Sequence, residues 1–466
     1  MDHDSPDRMI NISTVSGDGR PSFDAQAEVS PERYASPDVV SCRPGEAGRP
    51  GVIGVLFMKG SRPGRVAAHP VAVRAGHGKV GSSALMHPES EARPGSPQQD
   101  GVTLGVEEEF LLVDRRSLQA VPRADAVLGG VPASLQTYVR RELLDTQVEI
   151  ATPICDDLAG LRVCLVTLRR ALAEAAEHAG CRLVAAGASV LEGPPGRIGP
   201  SLSGGPRAGA MRRRFGAMID VQGLCACHVH IGVADRELAV AVSNLIRPWL
   251  PVLQAMSANS PYVDGRDSGH ASWRSVLWAR RPTAGPPPWL RSAAHFDSLV
   301  QALLDSGAML DQATLFWYAR PSASYPTLEL RVGDVCASVR ETVLVAALAR
   351  ALVRTAVLDA QAGRRAPLVE DQLLMAAHWT AARFGLEGDL FDAVTAQTRP
   401  AWQAVAELVK YVEPALVEAG DVHSAAALCD AMRASGTGAA RQRRVHHKCR
   451  DLPSVVRYLV KQTKAA

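Results

Sequence analysis

The stretch Thr103-Leu-Gly-Val-Glu-Glu-Glu-Phe-Leu-Leu-Val-Asp114 decides how the rest of the chain is read. In a β-strand, successive side chains point to opposite faces. Leu104, Val106, Phe110 and Leu112 then share one face, with Glu108 as the odd member among them. Glu107 and Glu109 share the other face with Gly105. Two carboxylates on one strand face repel each other unless something positive sits between them. A hard, oxygen-seeking cation such as Mg²⁺ meets that need, because it takes carboxylates and leaves room for phosphates. A solvent-facing acidic edge strand is the plain alternative, and the rest of the chain decides between the two.

The same pattern recurs on three further strands. In Gln147-Val-Glu-Ile-Ala151 the residues Gln147, Glu149 and Ala151 fall on one face, and Val148 and Ile150 on the other. Pro153 closes that strand, since proline cannot donate to a ladder. In Cys227-His-Val-His-Ile-Gly-Val233, His228 and His230 oppose Val229, Ile231 and Val233. In Thr327-Leu-Glu-Leu-Arg-Val332, Glu329 and Arg331 oppose Leu328, Leu330 and Val332. Surface strands would carry mostly Lys, Thr and Ser at such positions. A sheet lined instead by acid, imidazole and guanidinium is what divalent ions and a triphosphate require. Zinc would call for a third soft ligand beside the histidines. Cys225 and Cys227 reach the face of His228 only if the register slips. Arg274 and Arg331 are candidates for anion recognition, because a guanidinium matches carboxylate or phosphate in bidentate fashion.

Composition narrows the function classes. With 51 Lys and Arg against 48 Asp and Glu, the 466-residue chain has no basic field suited to nucleic acid or an anionic membrane. No run reaches the roughly 18 apolar residues that span a bilayer. The N-terminus shows no basic segment followed by an apolar one, so no signal peptide is expected. Nine cysteines without framework spacing fit a reduced, cytoplasmic protein. P-loop, GxGxxG and GxSxG motifs are absent in a credible context. Any nucleotide must then be held by metals rather than by a glycine cradle.

Residues 1–100 mix Pro, Gly, Ser, Arg and His without period and are expected to be a disordered extension. Met86 is a candidate later start. Residues 101–450 form the expected catalytic domain, followed by a tail at 451–466. Within the domain, leucines 161, 165, 168 and 172 predict a helix over 158–179, and a strand is expected over 181–189. Asp235 is a candidate N-cap for a helix over 236–257. Residues 259–281 look like a loop, 295–309 a helix, and 313–334 two strands around a turn. Helices are expected over 341–362, 368–383, 400–412 and 422–434. The basic cluster at 441–450 reads as a solvated helix end.

Several stretches match one family in order. They are Gly105-Val-Glu-Glu-Glu-Phe110, Glu142 with Gln147-Val-Glu-Ile-Ala-Thr-Pro-Ile-Cys155, His228-Val-His-Ile-Gly232, and Asn259-Ser-Pro261 with Asp264-Gly265. Ala271-Ser-Trp-Arg274, Arg320-Pro-Ser322, Thr327-Leu-Glu-Leu-Arg331, and Gly436-Thr-Gly-Ala439 with Arg441-Gln-Arg443 follow. From about Val102 to Lys448 the chain resembles the glutamate–cysteine ligase type 2 family of ATP-dependent carboxylate-amine ligases. The resemblance implies an α+β, glutamine-synthetase-like fold, in which a curved, largely antiparallel sheet forms a funnel with helices outside. It implies ATP and Mg²⁺ as cofactors, and small-molecule substrates: an amino acid carboxylate, by default the γ-carboxyl of glutamate, and an amine such as cysteine. It assigns Glu107, Glu109, Glu142, Glu149, His228 and Glu329 to metals, and Arg274, His228 and Glu329 to ATP. Arg331 and Arg320 are implied to position the reacting anions. Two departures stand out. Ser260-Pro-Tyr-Val-Asp-Gly265 replaces the family's Ser-Pro-Phe-Trp-Asp-Gly, and Trp317-Tyr-Ala-Arg-Pro-Ser322 lacks the family's acid after Trp. These favour a ligase of the same mechanism acting on another acid and amine as an alternative. A catalytically inactive nucleotide- and metal-binding relative is the other. The oligomeric state, homodimer included, is left open.

Overall fold

The computed structural model describes residues 102–191, 206–219 and 223–465. The expectation for residues 1–100 lies outside the described residues. In chain order the elements are β1 (Leu104–Asp114), α1 (Ala124–Gly129), β2 (Val139–Arg141), β3 (Gln147–Ala151), α2 (Leu158–His178), β4 (Cys181–Val184) and α3 (Pro206–Phe215). Next come β5 (Ala226–Gly232), α4 (Arg236–Ile246), α5 (Leu250–Met256), β6 (Tyr262–Val263), β7 (Arg266–Asp267) and α6 (Trp273–Trp278). They are followed by α7 (Ala293–Asp305), β8 (Ala319–Pro321), β9 (Thr327–Asp334), α8 (Val339–Gln361) and α9 (Asp371–Phe384). The remainder comprises β10 (Asp389–Asp392), β11 (Gln397–Pro400), α10 (Ala401–Glu418), α11 (Val422–Ser435), α12 (Gly438–Cys449) and α13 (Leu452–Thr463).

The main sheet runs β2-β3-β1-β5-β9-β8, with β4 also paired to β1, and every pair is antiparallel. The α+β class expected from the sequence is the one observed. Val106, Phe110 and Leu112 are buried on one face of β1, where α2 and α8 pack. Leu161, Leu165, Leu168 and Leu172 give α2 a continuous buried stripe. Each such leucine contributes about 1.5–3 kcal/mol of transfer free energy on burial. The Asp157 carboxylate caps α2 by accepting from the Gly160 backbone N at 2.7 Å.

One irregularity shapes the other face. His230 lies opposite Glu329 and Cys227 opposite Gly333, so β9 fits two residues against the single His228 of β5. Such a bulge interrupts the period-two alternation. It brings Asp334, opposite Ala226, to the side that carries His228, His230 and Glu329.

The element boundaries differ from expectation for local reasons. The helix expected over 236–257 is split into α4 and α5 by a 3₁₀ turn at Arg247–Trp249, where Pro248 and Pro251 supply no N–H. Asp235 does cap α4, accepting from the Leu238 backbone N at 2.6 Å. The stretch 259–281 holds the β6–β7 hairpin and α6 rather than loop alone. The strand at 181 stops at Val184. Residues 452–463, set apart as tail in the sequence, form α13, whose Val455 and Leu459 are buried in the main core. The basic cluster lies on α12 as a set of struts. Arg441 donates to Glu341 and to the Tyr458 hydroxyl, and Arg443 makes a two-pronged contact with Asp267. No helix among the described residues is long and apolar enough to cross a membrane.

Candidate active site

The face of the sheet opposite α2 and α8 carries two groups of potential ligands. The first is purely acidic. Glu109 and Glu149 sit directly across from each other on β1 and β3, a placement that costs stability when both are charged. Glu142, just after β2, adds a third carboxylate, and one oxygen from each of the three lies within 4.8 Å of the others. Positive charge from the protein is sparse here. Arg140 Nη1 stands 3.8 Å from Glu149 and 3.7 Å from Glu107, and the Ala226 backbone N donates to Glu109 at 2.7 Å. Burial pushes the Glu149 carboxyl well above its ordinary pKa, and the charges of Glu107, Glu142 and Glu109 add to the effect. Burial and the Glu142 charge raise Glu109 as well. Buried charge without a partner is costly. An all-oxygen set of this kind fits a hard divalent cation such as Mg²⁺.

The second group mixes acid and imidazole. Glu107, His230 and Glu329 each offer an atom within 4.8 Å of the others. His230 Nε2 lies 3.6 Å from Glu107 and 3.9 Å from Glu329, while its Nδ1 contacts the Thr327 hydroxyl at 3.1 Å. His228 Nδ1 is 3.3 Å from Glu107 Oε2. The Nε2 atoms of both histidines are buried without a hydrogen-bond partner. Burial opposes ionisation of Glu107, yet the imidazoles of His228 and His230 beside it hold it well below the usual carboxylate range. Burial and the nearby Arg331 charge lower His228. Burial lowers His230, but the adjacent Glu107 carboxylate, with Glu329 next, outweighs it and raises the imidazole.

The arginines divide by their anchors. Arg320 Nε donates to Glu329 Oε2 at 2.8 Å, and Arg331 Nη1 donates to Glu329 Oε1. These two charges keep Glu329 ionised despite its burial. Arg274 is 1% exposed; it donates to the carbonyls of Arg331 and Val332 and lies 3.7 Å from Asp334. Asp334 in turn accepts from the hydroxyls of Ser260 and Ser272 at 2.6 and 2.8 Å and from the Asn259 backbone N at 2.9 Å. That network explains the buried polar run Asn259-Ser260 and Ser272.

All nine residues singled out in the sequence thus line one face or its rim. His228 Nδ1 lies 3.3 and 3.9 Å from Glu107 and Glu329, as near as His230 Nε2 at 3.6 and 3.9 Å, so both imidazoles border the second ligand group. Two other residues escaped the sequence reading. Asp334 reaches this face only through the bulge. Arg281 follows Arg274 and Trp278 at helical spacing (i, i+4, i+7), a signal that was present but short.

The family model described as "Glutamate-cysteine ligase family 2(GCS2)" matches residues 103–456. A protein of Salinispora arenicola (strain CNS-205), provisionally named glutamate–cysteine ligase 2, is 49% identical over 371 residues, covering 79% of this chain and 97% of that protein. A similarly named protein of Saccharopolyspora erythraea is 44% identical over 365 residues, covering 78% and 95%. Among solved structures, the glutamate–cysteine ligase of Francisella tularensis in complex with AMP has a TM-score of 0.56 at 11% identity, covering 78% of this chain and 89% of that one. A bifunctional glutathione synthetase from Pasteurella multocida has a TM-score of 0.53 at 14% identity, covering 78% and 52%. The structural likeness concerns the fold.

Proposed function

The chain belongs to glutamate–cysteine ligase family 2 and is an ATP-dependent ligase, and we propose that it activates the γ-carboxyl of glutamate as an acyl phosphate and joins it to an amine such as cysteine. The observation that carries this reading is the buried acidic trio of Glu109, Glu142 and Glu149, poor in protein counter-charge and set beside Glu107, His230 and Glu329. A free carboxylate is a poor electrophile, and phosphorylation gives it a leaving group. Glu109, Glu142 and Glu149 would hold one Mg²⁺, and Glu107, His230 and Glu329 a second. Bound there, the ions would neutralise charge gathered between triphosphate and substrate carboxylate. The protein's own part is positional. Arg320 and Arg331 clamp Glu329, and Arg140 bridges the two acidic groups. The sheet keeps both groups on one face.

The same mechanism with a different acid and amine is a second reading, favoured by Tyr318. Its ring packs against His378 at 4.5 Å between centroids, and burial raises its phenol to about 12. A neutral phenol therefore stands where the family resemblance leads one to expect an acid.

The deciding experiment is ADP release with Mg²⁺ and ATP over a panel of acids and amines, with Glu109→Gln as control. Release that requires glutamate and cysteine, and is lost in the control, supports the first reading. Release with another pair supports the second. ATP binding without release for any pair would overturn both in favour of an inactive binding protein.

A further inference from the structure

Three guanidiniums converge on one indole ring. The guanidinium carbons of Arg281, Arg274 and Arg331 lie 4.2, 5.1 and 5.8 Å from the centroid of Trp278. Trp278 is fixed from behind, its Nε1 donating to the Phe316 carbonyl at 3.1 Å. Two of the three cations have an acid of their own: Asp334 serves Arg274, and Glu329 serves Arg331. Among the described residues no carboxylate comes within ion-pair distance of Arg281, and no hydrogen bond engages its guanidinium; it rests on Trp278 and on Phe316, 5.3 Å away. The Nε atoms of Arg274 and Arg331 are also buried without partners, in residues 1% and 8% exposed. The protein has thus gathered like charges in a partly buried place, and Arg281 feels the charges of Glu109 and Glu142 only at a distance, without an ion pair to either.

Such an arrangement costs energy unless an anion completes it. Burial, with the Arg274 charge next, brings Arg281 down to about 10, which still leaves it cationic at neutral pH. Its face is taken up by aromatic rings, and its unpaired N–H groups lie along the edge. A planar carboxylate matches that edge in bidentate fashion. The terminal phosphates of ATP are the competing anion, yet the carboxylates that would hold ions for them already lie on β1, β3 and β9 and just after β2. A guanidinium with no anion in contact can take one further negative charge.

We infer that Arg281 is the specificity-determining residue that reads a second, non-reacting carboxylate on the acid substrate, so that the enzyme selects an acid bearing two carboxylates over one bearing only the carboxylate to be activated. The inference rests on the ligase reading for what happens next, but not for the binding itself. Arg281 lies three residues past Trp278, where the chain leaves α6, and its backbone N donates to the Trp278 carbonyl at 3.1 Å. The turn therefore fixes the guanidinium against the ring.

The test is calorimetric binding to the full chain with Mg²⁺ and ADP present, using L-glutamate and 4-aminobutyrate, which keeps the reacting carboxyl and lacks the second one. Wild-type protein is expected to prefer glutamate. Arg281→Met should weaken glutamate on the order of 10- to 100-fold, as for a lost charge-assisted hydrogen bond, and leave 4-aminobutyrate within about twofold. Arg281→Lys should restore part of the loss. ATP affinity should be unchanged in both variants. Equal wild-type affinity for the two acids would overturn the inference without any variant, and so would a loss in Arg281→Met confined to ATP, which would assign the guanidinium to phosphate. Because binding is measured apart from turnover, absence of ADP release with every acid would refute the ligase reading while leaving the carboxylate preference to be judged on its own.

Discussion

Glu108 and its neighbours Glu107 and Glu109 are the same side chain on the same strand, yet the protein treats them in opposite ways. Glu108 is fully buried, and its needs are met within the chain. Arg169 of α2 donates to both of its oxygens, and the Thr342 hydroxyl of α8 donates at 2.6 Å. Glu109, one residue on, faces Glu149 and Glu142 and receives from the chain one backbone N–H. The lesson is that a buried carboxylate paired inside the protein serves the fold, whereas buried carboxylates grouped without a cation serve a ligand.

Variants can break that comparison. The largest effect is expected from Glu108→Gln, which strands the Arg169 charge in the core and should cost about 3–5 kcal/mol of stability in denaturant unfolding. Glu149→Gln should do the reverse: apo stability unchanged or raised, since like-charge repulsion is relieved, with ADP release falling about 100-fold or more. Mg²⁺ supplied at about 100 times its dissociation constant should stabilise wild type and Glu108→Gln by about 2.7 kcal/mol for each ion bound, and Glu109→Gln by one ion's share less, as read by thermal shift.

The smallest effect concerns a buried group with neither counter-ion nor metal. Burial brings His378 down to about 3, and its Nδ1 contacts Gln254 Oε1 at 2.6 Å. In the unfolded chain the imidazole binds a proton near pH 6.5, whereas in the folded protein it does so only near 3. Stability from this group is therefore present above pH 6.5 and is lost as pH falls toward 3. The loss should reach about 2 kcal/mol between pH 7 and pH 5. Comparing wild type with His378→Asn by unfolding at the two pH values checks it, and an identical pH slope would refute the assignment.

How much of this the chain disclosed follows from the range of each interaction. The alternation in 104–114 separates Glu107 and Glu109 from Glu108 because strand geometry is local. The helix over 158–178 is equally plain from its leucines. The partner of Glu108 is not, since Arg169 lies 61 residues away and meets it only once α2 packs on the sheet. Asp334 was hidden by a bulge that no period-two count anticipates. His228 and His230 shared a face in the sequence, but that both come within 3.9 Å of Glu329 follows only from the pairing of β5 with β9. The break at Pro248 was legible in principle, and the apolar pattern on either side masked it.

The central claim is that the face carrying Glu107, Glu109, Glu142, Glu149, His230 and Glu329 binds divalent metal, and Mn²⁺ standing in for Mg²⁺ tests it most directly. Calorimetric titration of wild type, Glu108→Gln and the double variant Glu109→Gln/Glu149→Gln should show Mn²⁺ binding that Mg²⁺ displaces in the first two, and loss of at least one ion in the third. No binding by wild type, or the same stoichiometry and affinity in the double variant, would contradict the account.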